Sequence, residues 1–167
     1  MTYTLQEMIK DCQTALKKDT EAVGRHTVRK IVEKACMDYH FTSTYLGRDN
    51  ENPRKILYED EELGFCILVH VSKPETGLPH DHGPTWAIYG IAEGITEMTD
   101  WFCAESPKGR SHGKVHRVKS YNLPPGTAHL YNEGDLHSSR RKKQVRMIRV
   151  EGINLLKVRR QKFREAA

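Results

Sequence analysis

Residues 78–94 read LPHDHGPTWAIYGIAEG, and the spacing inside this stretch decides how the chain is read. In extended backbone, side chains alternate between two faces, so His80 and His82 project their imidazoles to the same side. Two imidazoles on one face make half of a facial metal site, and nitrogen donors of this kind suit iron, zinc, copper or nickel. The chain has nine histidines, so one H-x-H arises easily by chance, and its weight depends on the surroundings.

Working outward, residues 54–152 carry short β-like runs broken by Gly, Pro, Asp and Asn. Strands are predicted at 55–58, 64–71, 85–91, 95–102, 115–121, 127–131, 137–140 and 144–150. Turn signals lie between them at 74–79, 93–94, 107–113, 124–126 and 132–135. Many short strands at this spacing predict a sandwich, jelly roll or barrel. Before them, residues 1–50 read as two helices. Thr4 and Glu7 make a capping box ahead of Leu5, Met8, Ile9, Cys12, Ala15 and Leu16 at helical spacing. Asp19 or Thr20 is expected to cap the second helix, with Val28, Ile31, Val32, Ala35 and Tyr39 on its apolar face. Both helices are expected to pack outside the strands. Residues 153–167 form a basic C-terminal segment, with a short helix expected over 154–164. No repeat, linker or second domain interrupts the chain.

A second pattern follows the first. Gly126-x5-Asn132-x-Gly134-x2-His137 places a third histidine after two glycine-marked turns. His129 competes for the same role, because Pro124-Pro125-Gly126-x2-His129 is a compressed version of the pattern. The longer register uses both glycines and leaves a full strand between them, so it favours His137. His112 and His116 lie in a Gly- and Lys-rich loop expected to face solvent, and His26, His40 and His70 carry no spacing signal.

These two stretches resemble the paired motifs of the cupins. The first is G-x5-H-x-H-x(3,4)-E-x6-G, with Pro74 at the opening Gly, Ala87 at the Glu position and Gly94 in register. The second is G-x5-P-x-G-x2-H-x3-N, with Asn132 at the Pro position and Arg141 at the Asn position. The resemblance covers roughly residues 54–152 and implies a double-stranded β-helix, an all-β jelly-roll barrel, with a divalent metal on His80, His82 and His137. Within cupins the chain resembles the cysteine dioxygenase-like thiol dioxygenases, which hold ferrous iron on three histidines without a Glu ligand, as Ala87 allows. They carry an arginine that clamps the substrate carboxylate 26 positions before the first ligand, and Arg54 stands there. Their late Ser-x-His-x-Tyr signature is replaced by Met147, Arg149 and Glu151. The W-A-I-Y-G run is closer to the little-characterised metal-dependent cupins near that group. Cupins often dimerise through an outer strand, which makes a homodimer one expectation.

The resemblance implies a non-haem Fe(II) dioxygenase adding O2 to a small anionic substrate such as a thiol carboxylate. Three neutral imidazoles leave the full cation charge in place and favour anionic ligands, and a coordinated thiol titrates below its usual value of about 8.5. Arg54 or Arg149 would then grip the carboxylate as a bidentate fork. Alternation along 145–150 puts Met147, Arg149 and Glu151 on one face and Ile148 and Val150 on the other. The first set either lines the pocket as buried charges needing partners or forms an exposed strand face. Tyr89 and Trp86 are candidates to shape the substrate mouth, and Glu97 is a candidate carboxylate ligand or a hydrogen-bond acceptor for a ligand histidine. Two other classes stay open: a non-catalytic small-molecule sensor, and a zinc, nickel or manganese cupin acting as a lyase or isomerase.

Composition bounds these readings. With 167 residues, 37% hydrophobic and 29% charged, the chain is one domain's worth and is expected to be cytoplasmic, with neither a signal peptide nor a membrane span. Cys12, Cys36, Cys66 and Cys103 form no C-x-x-C pair and are expected to be buried thiols rather than a disulfide or zinc framework. Much of the net charge of +5 sits in the last residues, where Lys157, Arg159, Arg160, Lys162 and Arg164 face only Glu165. With no aromatic interleaving and no nucleic-acid motif, this run is expected to be a solvated tail rather than a nucleic-acid interface.

Overall fold

A computed structural model describes residues 2–167. Three helices come first: α1 (Leu5–Lys18), α2 (Ala22–Met37) and α3 (Tyr39–Leu46). At the start of α1, the Glu7 backbone N–H donates to Thr4 Oγ1 at 3.2 Å and the Thr4 N–H donates to Glu7 Oε2 at 2.8 Å, which is the capping box expected there. The second helix begins at Ala22, with Glu21 at its N-cap and no side-chain cap, rather than at Asp19 or Thr20. Its buried stripe includes Val28, Ile31, Val32, Ala35 and Cys36.

The third helix is a correction to the two-helix expectation. Asp38 ends α2, and its carboxylate then accepts the Phe41 N–H at 2.8 Å, so one residue closes a helix and caps the next. The change of direction leaves Tyr39 84% exposed and gives its expected core place to Phe41.

Ten strands follow: β1 (Lys55–Glu59), β2 (Cys66–Ser72), β3 (Glu75–Thr76), β4 (Ala87–Glu93), β5 (Thr96–Glu105), β6 (Gly113–Leu123), β7 (Ala128–Tyr131), β8 (His137–Arg141), β9 (Val145–Glu151) and β10 (Phe163–Glu165). They form two five-stranded sheets, ordered β1-β2-β9-β4-β7 and β10-β6-β5-β8-β3. The chain passes back and forth between the sheets, which gives the jelly-roll double-stranded β-helix expected from the sequence. No helix among the described residues is long and apolar enough to cross a membrane.

Alternation along the first sheet separates two environments. Ile67, Val69, Ile88, Ile148 and Val150 face outward and are fully buried beneath α1 and α2. The helix approaches closely at Gly90, where a Cβ would lie 2.3 Å from Val32 Cγ1 and 2.8 Å from Cys36 Sγ, so a side chain at that position has no room. The inward residues of the same strands, among them Ala87, Tyr89, Ile91 and Met147, join Met98, Leu123 and Tyr131 in the barrel interior. Trp86 belongs to the outer layer, so it packs against the helical side and does not shape the mouth. Cys12, Cys36 and Cys66 are buried free thiols, and burial pushes each up to about 12.

The C-terminal segment departs from the helix expected over 154–164. Residues Leu155–Lys157 make a single 3-10 turn, and the chain then runs extended into β10, which pairs in parallel with β6 through Phe163↔Gly113. The reason lies in its apolar positions. Leu155 and Phe163 are buried while Leu156 is 77% exposed, so no helical stripe forms and strand pairing takes the backbone. The basic run is therefore anchored at both ends, while Lys157, Arg159, Arg160, Lys162 and Arg164 are exposed to solvent as expected.

Candidate metal centre

His80 and His137 are brought together by backbone pairing. Each donates its N–H to the other's carbonyl at 2.9 Å, forming an isolated antiparallel bridge. Directly opposed residues of such a pair project to the same face, so the two imidazoles meet, with ring centroids 4.5 Å apart. His82, two residues further, follows onto that face at 4.7 Å from His137 and 5.7 Å from His80. The H-x-H segment is thus extended backbone held by a single bridge at His80, and the separate strand expected at 85–91 begins only at Ala87. One nitrogen of each ring lies within 4.8 Å of the others, and no carboxylate belongs to this group among the described residues.

Hydrogen bonding orients two of the rings. His80 Nδ1 lies 2.9 Å from the Leu78 carbonyl and His137 Nδ1 lies 2.8 Å from the Asp135 carbonyl. A carbonyl only accepts, so both Nδ1 atoms carry the proton and both Nε2 atoms present lone pairs to the interior. His82 differs. Its Nε2 is 2.8 Å from the Tyr89 hydroxyl, and its buried Nδ1 has no partner at all. The same hydroxyl lies 3.3 Å from His137 Nε2.

Burial lowers the pKa of all three imidazoles. Repulsion adds to this: protonated rings would repel one another, His137 at His82 and His80 at His137, and Arg160 then Arg149 act at His80. The rings are accordingly neutral, as metal ligands must be. Neutral donors, two fixed tautomers and one orphaned ring nitrogen all fit a cation held by His80, His82 and His137.

The interior opens into a cavity of about 1290 Å³ that His80, alone of the three histidines, lines. Arg149 and Glu151 face it, which settles the orientation of β9 left open by the sequence. Glu151 is fully buried and is shared. Its Oε2 accepts from Arg54 Nη2 at 3.0 Å, and Arg149 Nη2 lies 3.1 Å from Oε1 without hydrogen-bond alignment. Arg54 also donates to Asn154 Oδ1 at 2.9 Å. The Arg149 guanidinium sits 4.3 Å over the Tyr89 ring. Burial raises the Tyr89 phenol above its ordinary value, although Arg149 pulls the other way.

One position, Glu97, corrects the sequence reading, and another, His129, stands where the longer register leaves it. Glu97 points to the outside of the second sheet, where Arg140 donates to both its oxygens at 3.0 and 3.1 Å. Met98 beside it faces inward, and alternation on β5 therefore takes Glu97 away from the histidines. His129 lies on β7 between Tyr121 and Tyr131, at centroid distances of 5.3 and 4.6 Å, and stands outside the three-histidine group. Conversely, His70 carried no spacing signal yet lines the cavity, its Nε2 buried without a partner. Burial first, then Arg149 and Arg54, holds its imidazole well below the usual range. The readable sign was its place on β2, in phase with Cys66 and Leu68 on the inward face.

No family model matches the chain, and no curated protein matches it. Similar solved structures include a cupin-2 domain-containing protein from Shewanella frigidimarina, at 10% identity and TM-score 0.47, covering 70% of this chain and 95% of that one. KdgF from Halomonas sp. is similar at 17% identity and TM-score 0.43, over 59% of this chain and 76% of that one. A conserved double-stranded β-helix protein from Klebsiella pneumoniae is similar at 14% identity and TM-score 0.45, over 66% and 80% of the two chains.

Proposed function

We propose that this chain is a metal-dependent cupin, a non-haem Fe(II) dioxygenase acting on a small anionic thiol. The observation that carries the proposal is the convergence of three neutral imidazoles, with no carboxylate among them, beside a cavity lined by arginines. The iron, when bound, would supply a Lewis-acidic, O2-reactive centre that favours anionic ligands. The reaction class is RSH + O2 → RSO2H, in which both oxygen atoms end on the sulfur and the thiol proton remains with the sulfinic acid.

The protein's own residues supply binding and orientation. Arg54 and Arg149 share the single carboxylate of Glu151, which leaves one positive charge in excess at the inner wall. An incoming substrate carboxylate takes up that excess, and the planar guanidinium fixes its orientation through paired N–H donors. Arg149 is held over the Tyr89 ring, so it grips from a defined direction. Tyr89 keeps its proton, because burial raises its pKa. Its hydroxyl, already beside His82 and His137, is therefore a donor aimed at an anion held between the imidazoles and the arginines.

Oxygen consumption by iron-loaded protein, measured against 3-mercaptopropionate and cysteine, tests the proposal. Uptake matched by sulfinate formation and lost in Arg149→Gln supports it. No uptake with either thiol, in protein shown to hold its iron, removes the thiol reading.

A further inference from the structure

The cavity is larger and more positive than a small monocarboxylate requires. Its volume of about 1290 Å³ exceeds the roughly 300–1,000 Å³ typical of sites for much larger ligands. Six cationic side chains line it against three carboxylates. Those carboxylates are committed: Glu151 to Arg54 and Arg149, Glu75 to Arg141, and Glu51 to Arg146. Arg160 lines the same cavity and has neither an ion pair nor a side-chain hydrogen bond among the described residues.

Its position is built by the fold. The strap from Asn154 to Phe163 is rooted in the inner charge network, since Leu155 N–H donates to Glu151 Oε2 at 2.9 Å and Asn154 accepts from Arg54. At the other end Phe163 is buried, and a Cβ on Gly113 would lie 2.7 Å from its ring, so the strap is pressed onto β6. Between these anchors it crosses the segment that carries the ligand histidines. A Cβ built on Gly83, next to His82, would meet Val158 Cγ1 at 3.2 Å, the Arg159 carbonyl at 3.4 Å and Arg160 Cγ at 4.0 Å. Lys73 and Lys162 also line the cavity, but Arg160 offers the planar fork that matches a carboxylate.

We propose that Arg160 is a specificity-determining residue that selects substrates with a second anionic group, holding that group at the cavity mouth while Arg149 and Arg54 hold the first. The inference rests on the anionic-substrate reading of the cavity and names the substrate class more narrowly, as dianions such as thiol dicarboxylates.

Anaerobic calorimetry of the metal-loaded protein with mercaptosuccinate and 3-mercaptopropionate tests it. The wild type binds the dicarboxylate about tenfold more tightly, the worth of one charge-assisted contact. Arg160→Gln abolishes that preference without weakening 3-mercaptopropionate, and Arg160→Lys recovers part of it. Arg160 is exposed at the rim, so unchanged metal content and melting temperature accompany the result. Equal weakening of both thiols, or no change in either, overturns the assignment. Succinate and propionate separate this inference from the thiol reading. An Arg160-dependent preference for succinate in protein that oxidises neither thiol upholds Arg160 and removes thiol chemistry. Thiol oxidation with no preference for either dicarboxylate does the reverse.

Discussion

On β9, Ile148 and Val150 point outward beneath α2 and are fully buried in apolar contacts, while Arg149 and Glu151 point inward to the cavity. The outer layer is a packed core with no vacant space at Gly90. The inner layer holds buried polar atoms without partners, at His70 Nε2, His82 Nδ1 and Arg149 Nε. Unsatisfied groups of this kind cost stability, and these three lie on the inward side of their elements, whereas on the outward side of β9 only Arg146 Nε is in the same state among the described residues. The same strands therefore supply stability on one side and binding capacity on the other, and each side has its own way of failing.

The largest effect is expected at Glu151. Glu151→Gln leaves Arg54 and Arg149 facing each other without a counter-charge, which costs about 4 kcal/mol by the usual penalty for breaking a buried pair. Succinate should restore part of that loss, because an added anion replaces the missing carboxylate. Urea denaturation with and without succinate checks both, and an unchanged midpoint would show that the inner charges are not coupled. On the outer face, Ile148→Ala removes a fully buried side chain and should cost about 3 kcal/mol. Here succinate restores nothing, and metal content stays at the wild-type level. A variant at Ile148 that keeps its stability but loses metal would erase the distinction between the faces.

Acid acts through the inner face. His70, His80, His82 and His137 all titrate below their unfolded value of about 6.5. Just under that pH the unfolded chain binds protons that the folded chain refuses, so stability falls as the pH falls. The slope is about 1.4 kcal/mol per pH unit for each imidazole that stays neutral. Urea midpoints of metal-free protein at pH 7.5, 6.5 and 5.5 should fall slightly over the first interval, because half of the unfolded imidazoles are already protonated at 6.5, and fall steeply over the second. A flat profile would mean that the rings are not buried neutral.

The sequence exposed the inner face unevenly. Alternation made the outer apolar residues and the pairing of His80 with His82 readable, because both depend on strand periodicity alone. The choice of His137 over His129 followed from the two glycine-marked turns, Gly126 and Gly134, which have φ values of +83° and +77°. Glu97 was misplaced although alternation with the apolar Met98 beside it was the local sign that its carboxylate faces outward. The orientation of Arg149 and Glu151 was undecided because an Arg–Glu face suits solvent or a charged cavity equally well. His70 was missed since a single polar residue in an apolar strand carries no spacing. The strap depends on contacts between Phe163 and Gly113, which are far apart in sequence, and periodicity within 154–164 had no access to them.

Elemental analysis of protein purified without added metal tests the convergence of the three imidazoles most directly. The wild type and His129→Ala should each carry about one equivalent of metal per chain, predicted to be iron, while His137→Ala should carry almost none. Metal retained in His137→Ala but lost in His129→Ala, or a wild type that binds no cation under any loading condition, would contradict the account.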